Sequence, residues 1–410
     1  MITEEWKELG VPQEADTAKE MKGGHMLLNL GPSHPAMHGT LRVLIEADGE
    51  TIVDSTPEIG YLHRCFEKES EVKCYTQVIP YTDRLNYLSA LMNNVGYCMT
   101  VERLMELEIP ERVQWIRMLA CEVSRICDHA ICIGTNVVDI GGLTNFWYLF
   151  NPRETLTDWI EALCGARLTT TYTRIGGVSR DLPPNTKSFL KNAMQEVTQA
   201  VKDATGLLKK NRIFMERTQN VGAISKEDAI SYGFTGPCLR ACGVDYDVRK
   251  VHPYYFYNQL DWDVPIGIYG DSYDRLFVRF EEMLQSARMI EQILDKMPDS
   301  GPLMTSDRRA ALPPKHEVYG SIEGLIQQFK IVMHGILPPK GEIYSYTEAA
   351  NGELGFYLVS DGSSKPYRLK VRPPCFAIYQ AYPELMKGHL IADAVAILGG
   401  LNIVAGELDR

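Results

Sequence analysis

"PERVQWIRMLACEVSRICDHAICIGTNVVDIGG", residues 110–142, is the stretch on which the fold turns. Toward its end it is apolar on nearly all faces, which is the pattern of a central helix in a bundle rather than of a surface helix. The most apolar run, Ile131 to Phe150, carries Asp139 and a Gly141-Gly142 pair, with Asp128 and His129 just before it. It is too interrupted to span a membrane and reads as a buried helix plus its exit turn.

Outward from this helix the pattern stays helical. "DRLNYLSALMNNVGYCMTVERLMELEIP", residues 83–110, places Leu85, Leu88, Met92, Val95 and Met99 at helical spacing and stops at Pro110. Residues 184–214 and 271–298 predict two more long helices. Pro298, Gly301, Pro302, Pro313 and Pro314 mark an irregular boundary, after which comes one amphipathic helix. At the N-terminal end, "LRVLIEADGETIVDSTP" predicts a hairpin turning at Asp48-Gly49. At the C-terminal end, "GEIYSYTEA", "GELGFYLVSDGSSKPYRLKVRPP" and "ADAVAILGGLNIVAGELDR" read as strand-like runs, with a turn at Asp361-Gly362. The expected class is α+β: a polar tail over residues 1–24, then one domain over 25–410. Within it, 25–70 is a β segment, 71–300 a helical core and 301–410 an α+β part.

The net charge of −11 over 410 residues argues against nucleic-acid binding and against polybasic attachment to anionic lipid. The acidic start "MITEEWKELG" has no basic or apolar leader segment. Ten cysteines without a CxxC pair read as reduced thiols, mostly small core residues, and Cys238/Cys242 alone is a weak metal signal.

"NLGPSHPAMHGTLRV", residues 29–43, sets His34 and His38 four apart. Pro35 pushes His34 toward extended geometry, so the pair does not share a helix face, and no nearby residue supplies a third zinc ligand. The residues leave two readings open: braces for the turn after Gly31-Pro32, or an imidazole presented to a ligand for proton delivery. Tyr87 lies three residues after Arg84, on the same face of the expected helix, and is either a core aromatic or a functional hydroxyl. Asp139 in an apolar run must be paired, hydrogen-bonded or protonated, or else caps the exit turn.

Taken together, "GPSHPAMHG", "GYLHRCFEK", "PYTDRLNYLSA", "VVDIGGLTNFW", "RIGGVSRDLP", "DWDVPIGIYGDSYDR", "LVSDGSSKPYR" and "AGELDR" resemble, in this order, the quinone-site subunit of respiratory complex I. It is called the D-subunit in bacteria and the 49-kDa subunit in mitochondria, and the resemblance runs from about residue 25 to the end. The family is similar to the large subunit of [NiFe] hydrogenases. The segments that hold the metals there match "DRLNYLSA" and "LNIVAGELDR", which contain no cysteine. Nickel needs thiolates, so the resemblance implies a hydrogenase-like fold whose metal site is lost.

The resemblance further implies quinone (ubiquinone or menaquinone) as substrate, with His38 and Tyr87 as ligands and proton donors and Asp139 as the partner hydrogen-bonded to His38. It leaves His34 to brace the turn. It places Arg64, Arg84 and Thr169 near a [4Fe-4S] cluster held by the neighbouring B-subunit, with no metal held by this chain. The B-, C- and I-subunits and the membrane H-subunit are the implied partners, at the cytoplasmic side of the membrane, in a proton-translocating NADH:quinone oxidoreductase. A ferredoxin-fed relative and a non-catalytic hydrogenase-derived scaffold are the alternatives. Two positions depart from the family. Thr169 stands where a histidine is frequent, so the cluster potential is expected to depend weakly on pH. Cys65 stands where glycine is common, which puts a close backbone approach there in question.

Overall fold

The computed structural model describes residues 24–410, so all of the polar tail but Gly24 lies outside the described residues. Helices dominate, with small antiparallel sheets toward both ends of the chain, as the hydrophobic patterning predicts. The first sheet is β1 (Met26–Leu30), β2 (Arg42–Asp48) and β3 (Thr51–Glu58), in that order. Asp48 pairs with Thr51 across Gly49-Glu50, which is the expected hairpin. Val43, Ile45 and Ala47 turn their side chains to a shared core while their neighbours stay partly open, the period of two that a one-sided sheet requires.

Two short helices follow, α1 (Phe66–Val72) and α2 (Tyr75–Thr82), and then α3 (Ala90–Met105). The central helix α4 (Glu111–Asp139) has 29 residues and is about 43 Å long at 1.5 Å per residue. It lies against α5 (Leu143–Cys164). Next, α6 (Thr186–Leu208) packs on α5 and on α7 (Ser272–Lys296), and α7 in turn lies against α4. Arg117, Glu122, Arg125, Asp128 and His129 all lie within the buried length of α4. These charged residues are therefore interior ones, on a helix the sequence reads as central. Arg117 pairs with Glu102, Glu122 with Arg125 and Arg249, and His129 with Glu282.

A two-stranded ribbon, β4 (Thr173–Arg174) and β5 (Gly177–Val178), follows α5 in the chain. Past the proline-rich boundary the single amphipathic helix is two, α8 (Lys315–Gly320) and α9 (Ile322–His334). Ser321 divides them, its side chain accepting the Gly324 N–H as an N-cap. The last sheet, β6 (Gly341–Ala349), β7 (Gly352–Ser360) and β8 (Arg368–Arg372), has β6 and β7 against α3. After α10 (Pro374–Gln380), the final stretch differs from its strand-like reading. It forms α11 (Ile391–Leu401) and α12 (Ala405–Asp409). A Cβ on Gly399 would stand 2.8–2.9 Å from the Asn136 amide. The glycine lets α11 approach α4 closely, and this tertiary contact outweighs the β preference of the Ala-Val-Ala-Ile-Leu run.

Candidate functional site

Gly31-Pro32 is a cis peptide, and the loop after it closes on itself through Ser33 N–H to Gly39 O at 3.0 Å. His34 N-caps the 3₁₀ turn Pro35–Met37, its Nδ1 accepting the Ala36 N–H at 3.2 Å. Met37 is fully buried and anchors the turn near α11. His38 follows in the left-handed region, φ 49°, which takes its imidazole out of line with the turn. Its Nδ1 stands 2.6 Å from the carbonyl oxygen of Ile403. A carbonyl can only accept, so Nδ1 carries hydrogen and Nε2 is left to face a ligand.

Asp139 ends α4 and is exposed rather than buried. No hydrogen bond joins it to His38 among the described residues; the carbonyl of Ile403, not Asp139, sets the tautomer. The two are nonetheless electrostatic neighbours: partial desolvation raises the Asp139 pKa and the charge of His38 lowers it again. A carboxylate at a helix C-terminus also faces the negative end of the helix dipole, which adds to the attraction for a cation there.

Arg84 and Tyr87 do not share a helix face, because residues 83–89 form a turn and α3 begins only at Ala90. The reason is local. Asn86 accepts the Leu88 N–H at 3.1 Å, its amide donates to Asp128 at 2.8 Å, and Asn93 donates to the Asn86 carbonyl. These side-chain bonds replace the first helical turn. Gly406 then fits under the turn: a Cβ there would lie 2.7 Å from the carbonyl oxygens of Arg84 and Leu85 and 3.1 Å from the Tyr87 ring. Tyr87 is half-buried, and burial raises its pKa, with Cys375 and Asp128 adding to the rise and Arg64 opposing it.

Arg64 fixes this junction. Its guanidinium donates to the carbonyls of Arg84 at 2.7 Å and of Gly406 at 2.5 Å. Asp409 holds the loop that carries it, accepting from the backbone N–H groups of Gly60 and Leu62. Arg64, Phe66, Pro80, Tyr81 and Arg84 line an open cavity of about 360 Å³. Cys65, between Arg64 and Phe66, has φ 54° and is exposed. Glycine would take that conformation freely, while cysteine bears strain of order 1 kcal/mol, tolerated because its side chain meets solvent. Asp83 is buried and accepts from Asn94 and from the backbone N–H and hydroxyl of Thr171. It thereby ties the loop of Thr169, which is half-buried two residues earlier, to the turn of Arg84.

The C-terminal segment 402–410 therefore holds the His38 loop, the Tyr87 turn and the Arg64 loop at once. "DRLNYLSA" and "LNIVAGELDR", far apart in sequence, meet at Asp128, which accepts from Asn86 at 2.8 Å and from Asn402 at 3.0 Å. Sequence reading missed Asn86, Asn402, Glu407 and Asp409. Only Asp128, a carboxylate on an otherwise apolar helix face, carries a signal that could have been found. Among the described residues no group of three or more His, Cys, Asp or Glu is arranged to hold a metal ion. No described helix is long and apolar enough to cross a membrane.

Residues 139–410 match the family model for the 49-kDa subunit of respiratory-chain NADH dehydrogenase. The chain belongs to that family. A relative from Bdellovibrio bacteriovorus, named as the C/D-subunit of NADH-quinone oxidoreductase, is 55% identical over 386 residues, 94% of this chain and 69% of that one. The D-subunit of the Myxococcus xanthus oxidoreductase is 49% identical over 397 residues, 97% of this chain and 95% of the relative. A D-subunit of Sorangium cellulosum is 50% identical over 399 residues, 97% and 99% of the two chains. As a member of the 49-kDa family the chain is a subunit of the multi-subunit NADH-quinone oxidoreductase of the respiratory chain.

Proposed function

We propose that this chain builds the quinone-reducing site of a proton-translocating NADH:quinone oxidoreductase, on the cytoplasmic side of the membrane. The observation that carries the reading is the joint anchoring of His38 and Tyr87 to one segment, 402–410. In this reading the meeting place of that segment with the Tyr87 turn corresponds to the metal position of a hydrogenase large subunit. Neither segment offers a thiolate, and a flat quinone headgroup takes the space instead.

Reducing a quinone adds two electrons and two protons, and each ring oxygen needs a donor as negative charge develops on it. The Tyr87 hydroxyl serves one oxygen. His38 serves the other through Nε2, which holds a transferable proton only as imidazolium because Nδ1 is committed to Ile403. Asp139 is an acidic group in electrostatic contact with His38, and the His38 charge draws the Asp139 carboxyl toward its ionised form. Arg64 and Arg84, whose charge cannot be lost, flank the cavity toward which a [4Fe-4S] cluster of the partner B-subunit would face, and fixed positive charge there favours electron arrival. The C-, I- and H-subunits complete the surroundings of the site.

The test is His38→Gln in the assembled complex. Glutamine keeps a donor but no titrating proton, so quinone reduction should fall roughly a hundredfold while NADH oxidation by ferricyanide stays intact. Full quinone activity would remove His38 from the mechanism. Thr169 gives a second check, because a hydroxyl has no proton to exchange near neutrality. Redox titration of the cluster, followed by electron paramagnetic resonance, should give a potential nearly flat with pH, and a slope of one proton per electron would contradict it.

A further inference from the structure

Behind Tyr87 lies a buried polar cluster that quinone reduction by Tyr87 and His38 leaves without a role. Glu407, on α12, is 1% exposed and accepts at Oε2 from the Asn351 amide and from the Cys375 thiol, both at 3.2 Å. Asn351 in turn accepts from Asn402, and Asn402 donates to Asp128 at 3.0 Å. Two carboxyls thus share one dry cluster, and among the described residues neither forms an ion pair with a cation. Taking two unpaired carboxylates out of water is costly, so such a cluster holds a proton.

We propose that Glu407 is the internal acid that returns a proton to Tyr87 after Tyr87 has given its own to the quinone, an inference that rests on the proton-donor role of Tyr87. The O–H bond of the Glu407 carboxylic acid breaks and the O–H bond of the Tyr87 phenol forms again. No electron moves in this step. Cys375 is the relay: once Glu407 is protonated its O–H turns to the Cys375 sulfur, which reverses the thiol-to-carboxylate bond of the ionised acid and frees the thiol hydrogen. Sulfur thus takes the proton from Glu407 as the thiol releases its own toward the phenolate.

Three observations support this order. Gly406, which seats the backbone under the Tyr87 ring, is the residue before Glu407. After burial, Cys375 is the strongest influence on the Tyr87 hydroxyl. Burial and the charge of Asp128 push the Glu407 carboxyl up to about 7, against the pull of its bonds from Cys375 and Asn351, so it exchanges its proton at neutral pH. The titratable groups facing it are Cys375 on α10 and Asp128 on α4. Arg64 is the charged group at the neighbouring Gly406 carbonyl, and the Asn351 turn and residue 402 present only amides.

The experiment uses the whole complex carrying Glu407→Gln. Wild-type quinone reduction should decline as pH rises through about 7, where Glu407 loses its proton. In Glu407→Gln the rate should be roughly tenfold lower and the limb reduced to the part that His38→Gln removes, while ferricyanide reduction is unchanged. Infrared difference spectra taken on quinone reduction should lose a protonated-carboxyl C=O band in the variant. Should Glu407→Gln not assemble, Glu407→Asp reads the same quantity: a displaced limb supports the inference and an unmoved limb overturns it. Wild-type rate, limb and band in Glu407→Gln, with Tyr87→Phe inactive, overturn this inference alone. Full activity in Tyr87→Phe overturns it together with the site reading beneath it.

Discussion

Tyr87→Phe should lower quinone reduction by at least about a hundredfold while leaving NADH oxidation by ferricyanide near wild type. The ring of Tyr87 is seated by Gly406, and phenylalanine fills the same space, so the turn at 83–89 and the Arg64 bonds that close it survive the change. Only the hydroxyl is lost. Burial raises its pKa, so at neutral pH the group is a neutral donor that parts with its proton only when charge develops opposite it. The effect should therefore fall on kcat rather than on KM, since the bond it makes strengthens as the ring oxygen becomes negative. A ring oxygen left without its donor as negative charge develops on it loses several kcal/mol of stabilisation, which is the source of the expected magnitude. A variant with unchanged turnover would show that the hydroxyl meets no developing charge.

The contrast between Tyr87 and Asp139 shows what the sequence can carry. The helical spacing from Met92 to Met99 and the apolar surface of residues 110–139 are repeated signals, and α3 and α4 form where those signals lie. The start of α3 is not legible, because Leu85 and Leu88 continue the apolar pattern through a turn built by the Asn86 side chain. Asp139 reads as buried for the same reason: its neighbours are apolar, but it sits on the last turn of α4, where the face that matters has already ended. The bond that fixes His38 comes from a backbone carbonyl at residue 403, and backbone groups leave no trace in residue identity. The run at 392–398 has a composition that suits either strand or helix, and only its packing against α4 decides.

Arg240→Met should destabilise the subunit by about 3–5 kcal/mol and impair assembly of the complex. The Arg240 guanidinium is fully buried and donates to Glu282 at 2.8 Å through Nε and to Glu348 at 2.8 Å through Nη1, with Asp247 at 3.3 Å. Methionine matches its stem but leaves three interior carboxylates short of a cation. Arg249, the nearest substitute, is already committed to Asp247 and Glu122. The pH dependence follows with a definite sign. Arg240 and His129 hold the Glu282 carboxyl well below the usual carboxylate range, so its contribution is present above the ordinary carboxylate pKa and is lost as pH falls below it. Burial lowers the His129 pKa, so unfolding takes up a proton once pH drops below about 6.5, and this also weakens the fold on the acid side. Without Arg240 the Glu282 carboxyl protonates at higher pH, and the variant should lose less stability on acidification than wild type does. Thermal inactivation and limited proteolysis of the complex at pH 5 and pH 7.5 measure the difference. Equal stability of variant and wild type at the higher pH would mean that water, not Arg240, compensates these carboxylates. Arg240→Lys should recover only part of the loss, because a single ammonium cannot face three carboxylates with the planar fork of a guanidinium.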